Sequence, residues 1–238
     1  MDRVKTGIEG LDELIEGGFP KNTSVLLSGS IGTGKTIFGL QFLVEGAKLG
    51  ERGIYITFEE TRELILDQAS RFGWDIEKFE KEHKLRIITL QLGHTSIEKI
   101  LAEIDELIGK FQPQRLVLDS ITTLQVYSDV LVDSKSMEML GVSDRHYESV
   151  RRKAVADLVG RVRAYNLTAI LTSELQEGSS WYSRDTISEF ICDGVIKLSK
   201  VESIGKRTLT IGKMRSTRHD VVPKTINIGE DGIILVKG

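Results

Sequence analysis

Residues 25–36 read Val-Leu-Leu-Ser-Gly-Ser-Ile-Gly-Thr-Gly-Lys-Thr. Strand-prone residues lead into a glycine-rich loop, and a Lys-Thr pair then opens a segment with helical spacing. The loop fits the spacing G-x-x-x-x-G-K-[ST], which is typical of a backbone turn that wraps a polyphosphate. The residues at the fixed positions are Gly29, Gly34, Lys35 and Thr36. A glycine-rich turn that binds nothing is disfavoured, because strand, loop, Lys-Thr and helix occur in the required order.

The chemistry of such a loop assigns a role to each part. The N-terminal end of the following helix favours an anion. Lys35 supplies a charge for the β- and γ-phosphates and is a candidate catalytic residue, and the Thr36 hydroxyl can hold Mg²⁺. The nucleotide-binding residues predicted here are Gly29, Ser30, Ile31, Gly32, Thr33, Gly34, Lys35, Thr36 and Ile37.

Composition favours one domain over residues 1–238, with residues 1–24 as an N-terminal lead-in. The chain is 40% apolar and has only three prolines and no linker-like stretch. A formal charge of −3 argues against a strongly basic nucleic-acid binder, although a local basic patch is compatible with it. Cys192 is the single cysteine, which leaves no intrachain disulfide. No apolar run suggests a signal peptide or membrane span, so we expect a cytoplasmic protein with no membrane partner.

The hydrophobic pattern alternates between strand and helix for about 170 residues and then becomes a run of strands. Alternation of this kind predicts an α/β fold with a mostly parallel central sheet flanked by helices, and antiparallel strands at the C-terminal edge. The predicted helices cover residues 36–49, 61–72, 97–108 and 147–165. The predicted strands cover residues 25–28, 54–58, 85–90, 115–119, 168–173, 193–198, 208–214, 221–228 and 233–236.

Asp119 ends the apolar strand Arg-Leu-Val-Leu-Asp. In an open α/β sheet, the carboxyl ends of the strands face the ligand crevice. We therefore expect Asp119 to hold Mg²⁺ through water, opposite Thr36. The alternative is a carboxylate that only caps the next helix.

Other polar residues follow two more predicted strands. Glu59 and Glu60 come after residues 54–58, and we expect Glu59 to be the catalytic base and Glu60 to support it. The negative charges of both glutamates would also stabilise the first turn of the next helix. The catalytic role and this helix-stabilising role are compatible. Residues 172–174, Thr-Ser-Glu, end another strand and either sense a γ-phosphate or form a plain polar strand end.

Lys213 and Arg215 alternate along a predicted strand and therefore share one face. Their composition alone does not separate a functional cation pair from charges that protect an edge strand.

Several segments together resemble the KaiC-like branch of the RecA superfamily of ATPases, over most of the chain. The most specific are Phe-Glu-Glu-Thr at residues 58–61 and Lys-Met-Arg-Ser-Thr-Arg-His at residues 213–219. The other segments are residues 6–12, 17–20, 29–36, 72–75, 117–120 and 189–196.

The resemblance implies a RecA-like fold and a homo-oligomer, a hexameric ring with Mg-ATP at each subunit interface. Lys213 and Arg215 would reach the γ-phosphate of the neighbouring subunit and act in catalysis there. Met214, Thr217 and His219 would line the neighbour's nucleotide near its base and ribose.

The chain also departs from this family. The clock proteins of the family carry two such domains and a phosphorylated Ser-Thr pair where this chain has Glu189-Phe190, so an autokinase cycle is not expected. Ile31 stands where the family often has proline. Residues 127–146 look like an insertion, and because this region can face the central channel of RecA-like rings, it is a candidate site for a protein partner.

Three functions follow as hypotheses. The first is slow ATP hydrolysis at ring interfaces, with nucleotide state controlling a partner or the assembly. The second is recombinase-like DNA handling, which the acidic balance and the lack of an appended DNA-binding domain disfavour. The third is a nucleotide-gated scaffold with little turnover, which Glu59 and Glu60 argue against.

Overall fold

A computed structural model describes residues 2–91, 96–131, 144–201 and 205–236 of the chain. The strands are β1 (Arg3–Val4), β2 (Phe19–Pro20), β3 (Ser24–Gly29), β4 (Gly53–Thr57), β5 (Leu85–Thr89), β6 (Arg115–Asp119), β7 (Thr168–Glu174), β8 (Gly194–Val201), β9 (Lys206–Met214), β10 (Lys224–Gly229) and β11 (Gly232–Leu235). The helices are α1 (Leu11–Leu14), α2 (Lys35–Lys48), α3 (Arg62–Ser70), α4 (Ile76–Lys81), α5 (Ile97–Phe111), α6 (Ile121–Leu131), α7 (Asp144–Ala164) and α8 (Ser188–Ile191).

The central sheet has the strand order β11-β10-β9-β8-β3-β7-β6-β4-β5. From β8 to β5 the neighbouring strands run parallel, and β9, β10 and β11 add antiparallel pairs. The predicted α/β sheet, mostly parallel with antiparallel C-terminal strands and flanking helices, is confirmed. Because β3 lies between β7 and β8, the loop that follows β3 emerges near the middle of the sheet.

The sheet is covered on both faces, and each face has its own hydrophobic cluster. Every residue of β3 is buried, as expected for a central parallel strand. Helix α2 packs closely on the sheet at Gly39, where a Cβ atom would lie 2.9 Å from Val117 Cγ1. None of the described helices has both the length and the apolar character that a bilayer span needs.

The structure differs from the sequence prediction in several places. Helix α6 was not predicted, because its Ile, Thr and Val content has low helix propensity. The predicted insertion, residues 127–146, begins inside α6 and ends inside α7, and residues 132–143 lie outside the described residues. The strand predicted from residue 221 starts only at Lys224, because Pro223 has no N–H to donate to a neighbouring strand.

Candidate nucleotide site

The glycine-rich loop joins the carboxyl end of β3 to the first residue of α2, as the motif predicts. At Gly29 a Cβ atom would lie 2.6 Å from Thr33 Oγ1 and 2.8 Å from the Leu198 carbonyl oxygen. Gly34 has a φ of +104°, a backbone conformation that residues with a Cβ rarely adopt. Both positions therefore require glycine for a local steric reason.

The Lys35 side chain folds back over this loop. Its Nζ donates hydrogen bonds to the carbonyl oxygens of Gly29 at 3.0 Å and Ser30 at 3.2 Å. The residue is only 8% exposed, and this burial lowers the pKa of the ammonium group, while Glu174 at 3.9 Å opposes the shift. The result is a buried cation whose nearest partners are loop carbonyls, in the position where a polyphosphate would attract it.

Asp119 lies beside the first turn of α2, where its carboxylate meets three hydroxyl groups. Thr36 Oγ1 donates to Asp119 Oδ2 at 3.2 Å, and the Tyr55 hydroxyl donates to the same oxygen at 2.5 Å. Thr172 Oγ1 donates to the other oxygen, Oδ1, at 2.5 Å. Complete burial, and then the charge of Asp119, raise the pKa of Tyr55 well above its usual value. The hydroxyl of Thr36 and the carboxylate of Asp119 are the oxygen donors that Mg²⁺ prefers, so this pair fits the ion.

Glu59 and Glu60 follow β4 and have different partners. Glu59 Oε1 accepts from Ser120 Oγ at 3.5 Å and from Thr123 Oγ1. Glu60 Oε2 accepts from Gln68 Nε2 at 2.6 Å. Partial burial, together with nearby carboxylates, raises the pKa of both glutamates, which makes each a stronger base than an exposed glutamate.

A cavity of about 600 Å³ opens above the loop and contains most of these groups. It brings together six of the nine predicted nucleotide-binding loop residues, both glutamates, Asp119 and Glu174, whereas Gly29, Ser30 and Thr33 are not part of its lining. It is also lined by four residues that the sequence analysis did not select. Its lining comprises Ile31, Gly32, Gly34, Lys35, Thr36, Ile37, Thr57, Glu59, Glu60, Gln68, Asp119, Glu174, Arg207 and Ile228.

Arg207 is the most informative of the unselected lining residues. It belongs to β9, and its Nε donates to the Gly32 carbonyl oxygen at 3.3 Å. The sequence does not show that this arginine is near the loop, since the contact depends on β9 pairing with β8.

Lys213 and Arg215 lie at the amino ends of the neighbouring parallel strands, whereas the cavity lies at the carboxyl ends. Met214, between them, pairs with Gly194, and Gly194 pairs with Val25 near the amino end of β3. The phosphate loop leaves β3 at Gly29, four residues further along. At about 3.3 Å per residue, Met214 and the start of the phosphate loop at Gly29 are roughly 13 Å apart along the strand direction.

Both cations contact the short helix α8 and the residues after it. Lys213 Nζ donates to the carbonyl oxygens of Glu189 at 3.1 Å, Phe190 at 3.3 Å and Cys192 at 2.6 Å. Arg215 Nη1 donates to Asp193 Oδ1 at 3.2 Å, and its Nη2 reaches the Phe190 carbonyl at 3.5 Å. Strand β9 pairs with β8 as far as Met214, but its pairing with β10 covers only Arg207–Leu209. The explanation that these charges protect an open strand side therefore stays an alternative at Lys213 and Arg215.

The other residues of this segment are placed differently from one another. Met214 is 3% exposed and packs in the core against Gly194, so its side chain is not on the surface. Thr217 Oγ1 accepts from Arg3 Nη1 at 2.6 Å, and His219 Nδ1 lies 3.0 Å from the Thr217 carbonyl oxygen. The structure therefore separates Met214 from the surface groups of Arg215, Thr217 and His219.

Comparison with known proteins now identifies the family. A family model described as "ATPase: KaiC" matches residues 4–140 and 127–238. The chain belongs to the KaiC family of ATPases. It has a RecA-like fold with a phosphate-binding loop.

Individual members of the KaiC family show the same relationship. The circadian clock oscillator protein KaiC of Prochlorococcus marinus is 32% identical over 99% of this chain, which spans 45% of that protein's length. A UPF0273 protein of Pyrococcus furiosus is 32% identical, with 98% of this chain and 93% of that protein covered. The crystal structure of the KaiC-like protein PH0186 from Pyrococcus horikoshii is 36% identical, with a TM-score of 0.83 and 99% of both chains covered.

Proposed function

We propose that this chain binds Mg-ATP at the phosphate loop and hydrolyses it where a second copy of the chain presents Lys213 and Arg215. The observation that carries the proposal is the position of the two half-sites at opposite ends of the parallel strands of one sheet. Two different surfaces that meet head to tail form a ring if the rotation closes. The proposal therefore includes a homo-oligomeric ring, which the family resemblance suggests is hexameric.

Within one subunit, the cavity residues would bind and orient the nucleotide. Lys35 would exchange its loop carbonyl partners for the β- and γ-phosphates. Thr36 and Asp119 would hold Mg²⁺, which would supply positive charge to neutralise the phosphates. Glu59 would orient the attacking water and accept its proton, and Glu60 would support that arrangement from its position beside Gln68.

The neighbouring subunit would complete the site. Arg215 is half-exposed, with 51% of its side chain accessible, and can reach a partner that docks at this end. Lys213 lies beside it and shares the Phe190 carbonyl oxygen. Together they would stabilise the charge that develops on the γ-phosphate, while Thr217 and His219 contact the nucleotide further out.

We further propose that the bound nucleotide has a regulatory role. The nucleotide state would control assembly or a protein partner, with residues 127–146 as the partner's site and the cytoplasm as the compartment. The glutamates of the cavity favour turnover over a scaffold that only binds nucleotide. The formal charge of −3 gives no support to DNA handling.

A subunit-mixing experiment tests the shared site. Lys35→Ala removes the phosphate contact and Arg215→Ala removes the contribution to the neighbour, so each variant alone should lose at least about 10³-fold in phosphate release. In a 1:1 mixture, some interfaces combine an intact phosphate loop with an intact Arg215. Random assembly should restore turnover to about a quarter of the wild-type rate.

Two exposed cations provide matched controls. Lys48 lies at the other end of α2, and Arg71 has 74% of its side chain exposed and contacts Asp67, so Lys48→Ala and Arg71→Ala should keep wild-type turnover. If Arg215→Ala alone keeps full activity, or the mixture co-assembles without regaining activity, the shared site is wrong. Light scattering with and without Mg-ATP establishes whether the subunits assemble.

A further inference from the structure

Asp119 receives hydrogen bonds from two buried hydroxyl groups that do not belong to the phosphate-binding motif. We propose that Tyr55 and Thr172 are positioning residues that fix the Asp119 carboxylate for Mg²⁺ binding. This inference rests on the proposed function, and it adds residues of two further strands to the metal site.

The positions of the two hydroxyls follow from the sheet register. Strand β6, which ends at Asp119, lies between β4 and β7. On one side Thr57 pairs with Asp119, and Tyr55 lies two residues earlier and so on the same face. On the other side Leu171 pairs with Leu118, which places Thr172 level with Asp119. The carboxylate is therefore held from both neighbouring strands.

Each hydroxyl contacts a different carboxylate oxygen. Tyr55 donates to Oδ2 at 2.5 Å and Thr172 donates to Oδ1 at 2.5 Å. With one of these two donors on each oxygen, rotation of the carboxylate breaks at least one of their hydrogen bonds. Both side chains are fully buried, so water does not readily replace the lost donor.

Thr36 has a different relationship to Asp119. Thr36 Oγ1 donates a hydrogen bond to Asp119 Oδ2 at 3.2 Å. In the proposed function, Thr36 Oγ1 would instead face Mg²⁺ as a ligand. Tyr55 and Thr172 would still hold the carboxylate after that change. The two buried hydroxyls therefore supply orientation, whereas Thr36 supplies a ligand.

The experiment measures nucleotide affinity with and without the metal. Binding of a non-hydrolysable ATP analogue is measured by calorimetry in Mg²⁺ and in EDTA, and the ratio of the two dissociation constants reports the gain from the metal. Loss of a group that orients a metal ligand typically lowers metal affinity about 10- to 100-fold. We expect Tyr55→Phe and Thr172→Val to reduce the ratio about tenfold, with the affinity in EDTA unchanged.

Two controls separate positioning from packing. Thr172→Ser keeps the hydroxyl and should restore the wild-type ratio. Tyr182→Phe removes a phenol hydroxyl from a ring that packs on Gly212, outside the cavity, and should leave the ratio unchanged.

The possible outcomes distinguish the two proposals. A wild-type protein that binds no nucleotide overturns the proposed function and this inference with it. A wild-type protein that gains affinity from Mg²⁺, beside folded Tyr55→Phe and Thr172→Val variants with the same ratio, overturns only the inference. If Tyr55→Phe does not fold, the contrast between Thr172→Val and Thr172→Ser decides the result.

Discussion

The carboxyl and amino ends of the parallel strands differ in the charged side chains that lie there. At the carboxyl ends, carboxylates surround the cavity, and they come from Glu59, Glu60, Asp119 and Glu174. At the amino ends, cations lie at the starts of the strands or beside them, and they are Arg115, Arg163, Lys213 and Arg215. A head-to-tail contact between two copies would bring the cations toward the carboxylates and the nucleotide phosphates.

Burial divides the cations at the amino ends into two kinds. Arg115 is fully buried, and its Nη1 donates to the carbonyl oxygens of Lys5 and Phe42 while its Nε contacts Glu51 at 2.5 Å. Arg215 keeps half of its side chain accessible. The comparison shows that position at the amino ends of the strands is not enough to assign a role, because Arg115 is enclosed by the fold and Arg215 is accessible at the surface.

The largest expected effect concerns the carboxyl ends of the strands. Glu59→Gln keeps the size of the side chain and removes the base, so hydrolysis should fall about 10²- to 10⁴-fold. Nucleotide affinity should stay within a few-fold of the wild type, since Lys35 and the loop are intact. Single-turnover phosphate release and calorimetric binding measure the two quantities separately.

Glu60→Gln is the matched control for this change. Glu60 is paired with Gln68 and is proposed only to support the base, so its substitution should cost less than that of Glu59. If the order of the two losses is reversed, Glu60 is the base and the assignment within the pair must be exchanged.

A smaller effect, about tenfold per pH unit, is expected from acidification. Partial burial, followed by the charges of Glu174 and Asp119, raises the pKa of Glu59 above the usual 4.5. The base works only when it is deprotonated. The rate of hydrolysis should therefore be maximal above this raised pKa and should fall as the pH falls through it. The pH profile of single-turnover phosphate release checks the direction.

The same profile for Glu59→Gln should lack this acidic decline, provided that nucleotide binding is saturated at each pH. A decline that persists unchanged in the variant would show that another group titrates, and it would remove Glu59 as the origin of the pH dependence.

The sequence predicted those features of the site that depend on local order. The loop at residues 29–36 and the carboxylate of Asp119 are readable because a short motif and a strand end determine their positions. The supporting contacts are not readable in this way. Tyr55 and Arg207 reach the site only through strand pairing, and so does the contact of Thr172 with Asp119, although residues 172–174 were already candidates. No spacing along the chain indicates which strands become neighbours.

The fold shows the same limit. The alternation of strands and helices predicted the mixed sheet, because periodicity reports which faces are buried. It did not reveal α6, which is rich in β-branched residues of low helix propensity and contacts β7 and α7. Nor did it show that the charged strand β9 is interior to the sheet, since edge position depends on the last strands that are added.

The smallest expected effect sharpens the distinction between the two kinds of cation. At Gly46 of α2, a Cβ atom would lie 2.5 Å from Arg115 Cδ, beneath the buried guanidinium group. Gly46→Ala should therefore destabilise the fold by about 1–3 kcal/mol through overpacking. Gly160→Ala is the control, because no atom lies within 4 Å of its Cβ position in α7, and it should stabilise the helix by about 0.5–1 kcal/mol. Denaturant unfolding measures both changes. Of the two glycines, Gly46 is the one beside the Arg115 side chain. Equal stability of the two variants would therefore contradict a packing role for Arg115.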